Sequence, residues 1–121
     1  MDERILDFIQ GSFKSIWSLE LMVFMIHHRD RAWGSDELVR ELRGSGPVVA
    51  QSLAVLQAAG LVISEADGKF RYAPASPALD QLAVAVEHIH RDRPTSIHRA
   101  ILSAPNEKLY TLAEAFRIKK D

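Results

Sequence analysis

The chain of 121 residues is 47% hydrophobic and 26% charged with a formal net charge of −1, so it can bury one core, or a core with an appended dimerisation region. Because it contains no cysteine, a disulfide framework, a thiolate nucleophile and a cysteine-based metal or redox sensor are excluded, and we expect a reducing cytoplasm as its location. Asp2 and Glu3 stand where a secretory signal has basic residues, and the longest nearly apolar segment, 16–26, is shorter than the roughly 20 residues that span a bilayer, so no membrane partner is expected.

The first region, residues 1–33, is dominated by a helix predicted over 12–28, with a shorter turn around 5–9 before it. Apolar residues nearly encircle this helix and exceed the ~100° stripe that a surface helix needs. The helix is therefore either central to the domain or packed on two sides. A partner subunit or the rest of the same chain would cover the second side, and the periodicity does not separate these alternatives.

Two short helices are predicted in the middle region, residues 34–73. Ser35 caps the first, which ends at the glycine-containing break 44–46. Pro47 begins the second helix, because the N–H that proline lacks would have no partner in the first turn of a helix. Gly60 ends this helix. The buried stripe of this second helix follows the helical period through Val49, Leu53 and Leu56.

Two short strands follow, over 61–63 and 69–72. The turn 66–68 between them has Gly68 where the backbone needs positive φ. A helix, a turn, a helix and a hairpin in this order resemble the winged-helix transcriptional regulators of bacteria, the class that includes the multiple-antibiotic-resistance and arsenical-resistance repressors. The residues that carry the resemblance are Leu38, Leu42, Leu53, Leu56, Gly60, Leu61, Val62, Gly68, Arg71 and Tyr72.

The resemblance covers residues 35–72 and implies a fold class. That class is mainly α with a small β-hairpin, in which the N- and C-terminal helices pack on the winged helix-turn-helix core or form a dimer. The resemblance also implies a homodimeric, DNA-binding transcriptional regulator, whose second motif helix enters the major groove.

The outer face of this second helix is short of charge. With the buried stripe inward, the helical period turns outward Pro47, Gln51, Ala54, Val55 and Ala58. No charged residue occurs from 47 to 60, and Gln51 is the one good reader of bases on that face. Phosphate contacts therefore need cations from neighbouring segments, namely Arg40, Arg43, Lys69 and Arg71. The same region contains the acids that oppose them, Asp36, Glu37, Glu41, Glu65 and Asp67.

The third region, residues 74–121, begins with a rigid linker over 74–77 that leads into a helix. Apolar residues recur on that helix as a short seam suited to pairing with another helix, and we expect it to be the dimer contact: Leu79, Leu82, Val86 and Ile89. A further helix is predicted over 95–103, and Asn106 would cap a last one. From His88 onward cations outnumber acids. This basic segment would bind nucleic-acid phosphates, bind an acidic protein partner, or simply form a solvated helical face.

The five histidines show no metal-ligand spacing. His88 and His90 are two residues apart and would point about 200° from each other on a helix, while His27 and His28 diverge by about 100°. No pair has the i, i+4 spacing that lets two imidazoles share an ion, although a subunit interface could bring His88 or His98 together with ligands from another chain. The sequence also lacks a phosphate loop and a nucleophile–base pattern, so we expect no metal, no cofactor and no catalysis.

Two functional hypotheses from different classes remain open. In the first, which we favour, the protein is a homodimeric DNA-binding regulator: Gln51 and Ser52 meet bases, the four cations meet phosphates, and the terminal helices form the dimer. In the second, the protein is an interaction module with little or no DNA binding. The evidence for it is the smooth, uncharged helix face formed by Pro47, Val48, Gln51, Ala54, Val55 and Ala58.

Overall fold

The computed structural model of the protein describes residues 2–103, and in this range the chain forms six helices and one antiparallel hairpin. In chain order the elements are α1 (Glu3–Ser12), α2 (Ile16–His27), α3 (Ser35–Leu42), α4 (Gly46–Ala58), β1 (Val62–Ser64), β2 (Phe70–Tyr72), α5 (Pro77–Asp92) and α6 (Pro94–Leu102). The predicted mainly α composition with a small hairpin is confirmed. The predicted last helix, which Asn106 would cap, lies outside the described residues. None of the helices in this range has both the length and the apolarity needed to cross a membrane.

The N-terminal region contains two helices where the sequence predicted a short turn and one long helix. Asp2 caps α1 by accepting a hydrogen bond from the Arg4 N–H at 2.7 Å. The chain is extended at Phe13, and Ser15 then starts α2 by accepting from the Ser18 N–H while the Ser18 hydroxyl lies 3.3 Å from the Ser15 N–H. This reciprocal cap is why α2 begins later than residue 12.

Helix α2 is the centre of the fold, and other parts of the same chain cover much of it. Leu19, Leu21, Met22 and Met25 are buried, and the helix packs against α4, α5 and β2. Its exposed side is marked by Trp17, which is 40% exposed. The sequence left open whether a partner subunit or the same chain covers the second side of this helix. Contacts within the same chain account for the burial of the four residues named above.

The α3–α4 pair forms by local capping and shared burial. Gly34, rather than Ser35, is the N-cap of α3, because the Glu37 carboxylate accepts the Gly34 N–H at 2.9 Å. Ser45 caps α4 by accepting from the Val48 N–H at 3.3 Å. The predicted inner stripe of α4 is buried as expected, with Val49, Leu53 and Leu56 at 2% exposure or less.

Helix α4 ends at a glycine as predicted. Gly60 has φ of +79°, its N–H donates to the Gln57 carbonyl, and the Leu61 N–H donates to the Leu56 carbonyl, each at 3.0 Å. These two bonds form the Schellman arrangement, which needs a left-handed residue at this position. The turn delivers the chain directly into the hairpin.

The hairpin pairs Val62 with Tyr72 and Ser64 with Phe70. Its turn has Gly68 at φ +82°, as predicted, and the Gly68 N–H donates to the Glu65 carbonyl at 2.9 Å. Trp33 adds a short bridge to Phe70 through two backbone hydrogen bonds of 2.7 and 2.8 Å. The segment before α3 is thereby fastened to the hairpin.

Helices α5 and α6 pack on α1, and the predicted dimer seam faces this core. Val86 is fully buried within the chain, while Leu79, Leu82 and Ile89 are partly buried and pack against the core. Val86 is thus unavailable as a surface contact, because the short apolar seam is filled by helices of the same chain. On α6, the helix predicted over 95–103, Ile97 and Ile101 are buried, whereas Leu102 is 75% exposed.

Candidate functional site

The outer face of α4 lines a groove with the end of α1. Gln51, Ala54 and Ala58 are exposed, Val55 is partly buried, and together they form one wall. The other wall comes from Gly11, Ser12 and Lys14, and the groove encloses about 450 Å³. The structure thus brings together most of the outward residues that the helical period predicted.

Ser52 does not belong to this face. It is 4% exposed and lies on the inner side of α4, three residues after Val49 and four before Leu56. The helical period places it with the buried stripe. The predicted base contact by Ser52 is therefore wrong, and Gln51 is left as the exposed polar side chain at the middle of α4. Pro47 is exposed at the start of the helix, and Val48 is partly buried.

The four predicted phosphate contacts differ in their availability. Arg40 and Arg43 are exposed at the end of α3, and Lys69 is exposed in the hairpin turn. In residues 2–103 these three side chains form no ion pair, whereas Arg71 Nε lies 3.0 Å from Glu65 Oε1. A cation held by a carboxylate must give up that contact before it meets a phosphate. Arg71 is therefore the weakest of the four candidates.

Two of the five opposing acids are already engaged by cations. The Gly34 N–H and then the Arg31 guanidinium, at 2.6 Å, hold the pKa of Glu37 below its usual range. Glu65 is paired with Arg71. Residues 34–73 contain four cations and five acids, but Arg31 lies outside that range and neutralises Glu37, so the local charge is less acidic than these residues alone suggest.

Arg43 has an unusual backbone. With φ of 54° and ψ of 37° it occupies the left-handed region, and it is the one non-glycine residue with positive φ in the described part of the chain. Glycine takes this conformation without strain, whereas a side chain makes it unfavourable by about 1–2 kcal/mol. The C-cap of α3, in the turn that leads to α4, thus keeps a long cationic side chain at a position that favours glycine.

Lys14 is a candidate contact that the sequence did not reveal. It is exposed in the extended link between α1 and α2 and lines the groove beside Gln51. The predicted helix over 12–28 placed it inside a helix of the core region. A correct end for α1 at Ser12 would have shown it in a connecting segment.

A second polar cluster joins α2, α5 and α6. Glu20 Oε1 lies 3.4 Å from His90 Nε2 and 3.8 Å from His98 Nε2. These three side chains are the group with metal-ligand potential found in the described residues. The sequence rules for histidine spacing missed it, because each ligand comes from a different helix.

Next to this cluster, a buried carboxylate ties α5 to α2. Glu87 is 3% exposed, and its Oε1 lies 2.7 Å from His27 Nε2 and 2.6 Å from Arg91 Nη2. Burial alone would raise the pKa of Glu87, but the hydrogen bonds from His27 and Arg91 outweigh burial and hold it below the usual range. This carboxylate is therefore ionised at neutral pH.

Comparisons with known proteins do not assign the chain to a family. No family model matches the chain, and no curated protein matches it.

Proposed function

We propose that the protein is a winged-helix DNA-binding transcriptional regulator in which α4 enters the major groove and the β1–β2 hairpin serves as the wing. The observation that carries this proposal is Arg43, an exposed cation kept in a strained backbone conformation at the end of α3, three residues before α4 begins. A strained residue that glycine would relieve is a reason to look for a function of its side chain. A phosphate contact at the entry of the recognition helix is such a function.

The supply of unpaired cations around α4 supports the same proposal. Lys14, Arg40, Arg43 and Lys69 are exposed and form no ion pair within residues 2–103. They meet phosphates without first breaking a contact inside the protein. Because counterion release from phosphates provides most of the affinity of such proteins, these four side chains would supply the DNA affinity.

Base reading would fall to Gln51. Its side chain is exposed on α4 between small residues, Ala50 and Ala54, so the helix backbone can approach the base edges closely. Glutamine recognises adenine through a bidentate pair of hydrogen bonds in the major groove. One reader per protomer gives low specificity, which a two-fold dimer would raise by doubling the contacts.

A DNA-binding assay with paired substitutions tests the proposal. Lys14→Ala and Arg43→Ala should each weaken binding to duplex DNA, whereas Arg99→Ala, an exposed cation on α6, should leave it unchanged. An equal effect of all three variants would mean that binding follows overall charge rather than the α4 face. Gln51→Ala should change the preferred base at one position of a selected site.

A second candidate function is a protein-interaction module, and the groove between α1 and α4 favours it. Its walls are mainly small or apolar residues, including Gly11, Ala54, Val55 and Ala58. Such a groove accepts an apolar segment of another protein better than a phosphate chain.

One substitution separates the two candidates. Ala54→Arg adds a cation to the outer face of α4, so DNA affinity at low salt should rise if that face meets DNA. The same change would fill the groove and prevent the docking of an apolar segment. Val55→Thr is a control of similar shape that leaves the charge unchanged.

A further inference from the structure

Three metal-ligating side chains from three separate helices meet in one place. Glu20 projects from α2, His90 from the last turn of α5 and His98 from the middle of α6. The chain turns at Arg93, and α6 packs back against α5, so the two imidazole centroids lie 5.5 Å apart. Tertiary packing, and not local spacing, creates this cluster.

The distances suit a tetrahedral cation. In a tetrahedral site with Zn–N bonds of about 2.0–2.1 Å, neighbouring ligand atoms are separated by about 3.3–3.4 Å. Glu20 Oε1 and His90 Nε2 are already 3.4 Å apart, and Glu20 Oε1 and His98 Nε2 are 3.8 Å apart. One potential ligand atom from each residue lies within 4.8 Å of the other two. A small rotation of the half-exposed Glu20 side chain would shorten the longer of these two distances.

No hydrogen bond among the described residues satisfies the His98 Nε2 atom, which is buried. The Glu20 oxygen at 3.8 Å is too distant to provide one. A buried polar nitrogen without a partner is rare in folded proteins and calls for an explanation such as a bound ion. The lone pair of a neutral imidazole bonded to a cation would satisfy this atom.

We propose that Glu20, His90 and His98 bind a first-row divalent cation, with Zn²⁺ the best match. Two imidazoles and one carboxylate are the donor set of zinc sites that have three protein ligands and keep an exchangeable fourth position. Because the ligands lie on α2, α5 and α6, the bound ion links three helices and stabilises the folded state. This site is separate from α4, so it does not depend on the proposed DNA binding.

The test is isothermal titration calorimetry of the chain, without a histidine tag, with Zn²⁺ at about pH 7.5, where unperturbed imidazoles are mainly neutral. We expect one equivalent to bind. Glu20→Gln, His90→Ala and His98→Ala should each weaken binding by more than about 100-fold, since losing an outer-shell partner alone typically costs 10–100-fold. His88→Ala is the matched control, because His88 is on the same helix and exposed but outside the cluster. It should bind as the wild type does.

Two further measurements complete the test. Circular dichroism of the metal-free variants checks that they fold, and Glu20→Gln is the decisive variant because it keeps the shape of a half-exposed side chain. Thermal melts should show that Zn²⁺ raises the Tm of the wild type and of His88→Ala, but not that of folded Glu20→Gln. The absence of Zn²⁺ binding by the wild type, or equal binding by His88→Ala and folded Glu20→Gln, would overturn the proposal.

Discussion

Arg43→Gly should stabilise the protein while it weakens DNA binding. The left-handed backbone at φ 54° makes any residue with a Cβ unfavourable by about 1–2 kcal/mol, and glycine removes this strain. Glycine also gains freedom in the unfolded chain, which offsets about 0.4–1 kcal/mol of that benefit. The net expectation is a stabilisation of about 0.5–1 kcal/mol, or a rise in Tm of about 2–5 °C for a chain of this size.

Arg43→Ala is the matched control, because it removes the guanidinium but keeps the strain. Chemical denaturation should place its free energy of unfolding within about 0.5 kcal/mol of the wild type, since Arg43 is exposed. Both variants should lose the same DNA affinity, because both lack the cation. If the glycine variant were no more stable than the alanine variant, the assigned backbone conformation would be incorrect. If both variants bound DNA as well as the wild type, the Arg43 guanidinium would have no role in DNA binding.

Three other predictions concern the fold and its assembly. Leu56→Ala, at a fully buried position, should lower the free energy of unfolding by about 2–5 kcal/mol, while Gln51→Ala should change it by no more than about 0.5 kcal/mol. If urea titrations gave the reverse order, the assigned inner and outer faces of α4 would be wrong. Glu87→Gln should destabilise the protein by about 1–3 kcal/mol at pH 7. Because the folded pKa of Glu87 is lowered, its contribution is present above its ordinary value of 4.5 and is lost as pH falls through the folded pKa; a difference from wild type that does not narrow in acid would contradict this. The proposed regulator should also be a dimer, because two-fold operator binding needs two copies, even though the chain itself buries Val86 of the predicted seam; light scattering that gives a monomer mass at tens of micromolar would refute this expectation.

The parts of the fold that local chemistry decides were predictable. Gly60 and Gly68 adopt positive φ where the sequence required a helix end and a tight turn. Val49, Leu53 and Leu56 are buried because the helical period fixes which side of α4 they occupy. The same period argues against Ser52 as a base contact, since a small hydroxyl side chain is readily accommodated between buried leucines.

The missed features depend on contacts between distant segments. Val86 is buried because α1 and α6 both pack against α5. An apolar seam looks the same in a sequence whether its partner is another chain or its own.

In the candidate sites, too, some residues follow from the local sequence and others depend on tertiary packing. Gln51 and the small residues of the α4 face follow from periodicity, but their neighbour Lys14 depends on how α1 ends and packs. The Glu20–His90–His98 cluster needs three helices to meet, and two of its members are eight residues apart across a chain turn. No spacing rule for a single helix finds such a set.

The measurement that tests the central claim most directly is a salt titration of binding to duplex DNA from the promoter region of the protein's own gene, followed by fluorescence anisotropy. Four exposed cations around α4 form no ion pair within residues 2–103, so we expect the logarithm of the binding constant to fall against the logarithm of salt concentration with a slope of about −3 to −4 per protomer. Arg43→Ala should reduce that slope by about 1, and Arg99→Ala should leave it unchanged. Binding that is absent at low salt, or a slope that Arg43→Ala does not alter, would contradict the proposal that α4 and its flanking cations form a DNA interface.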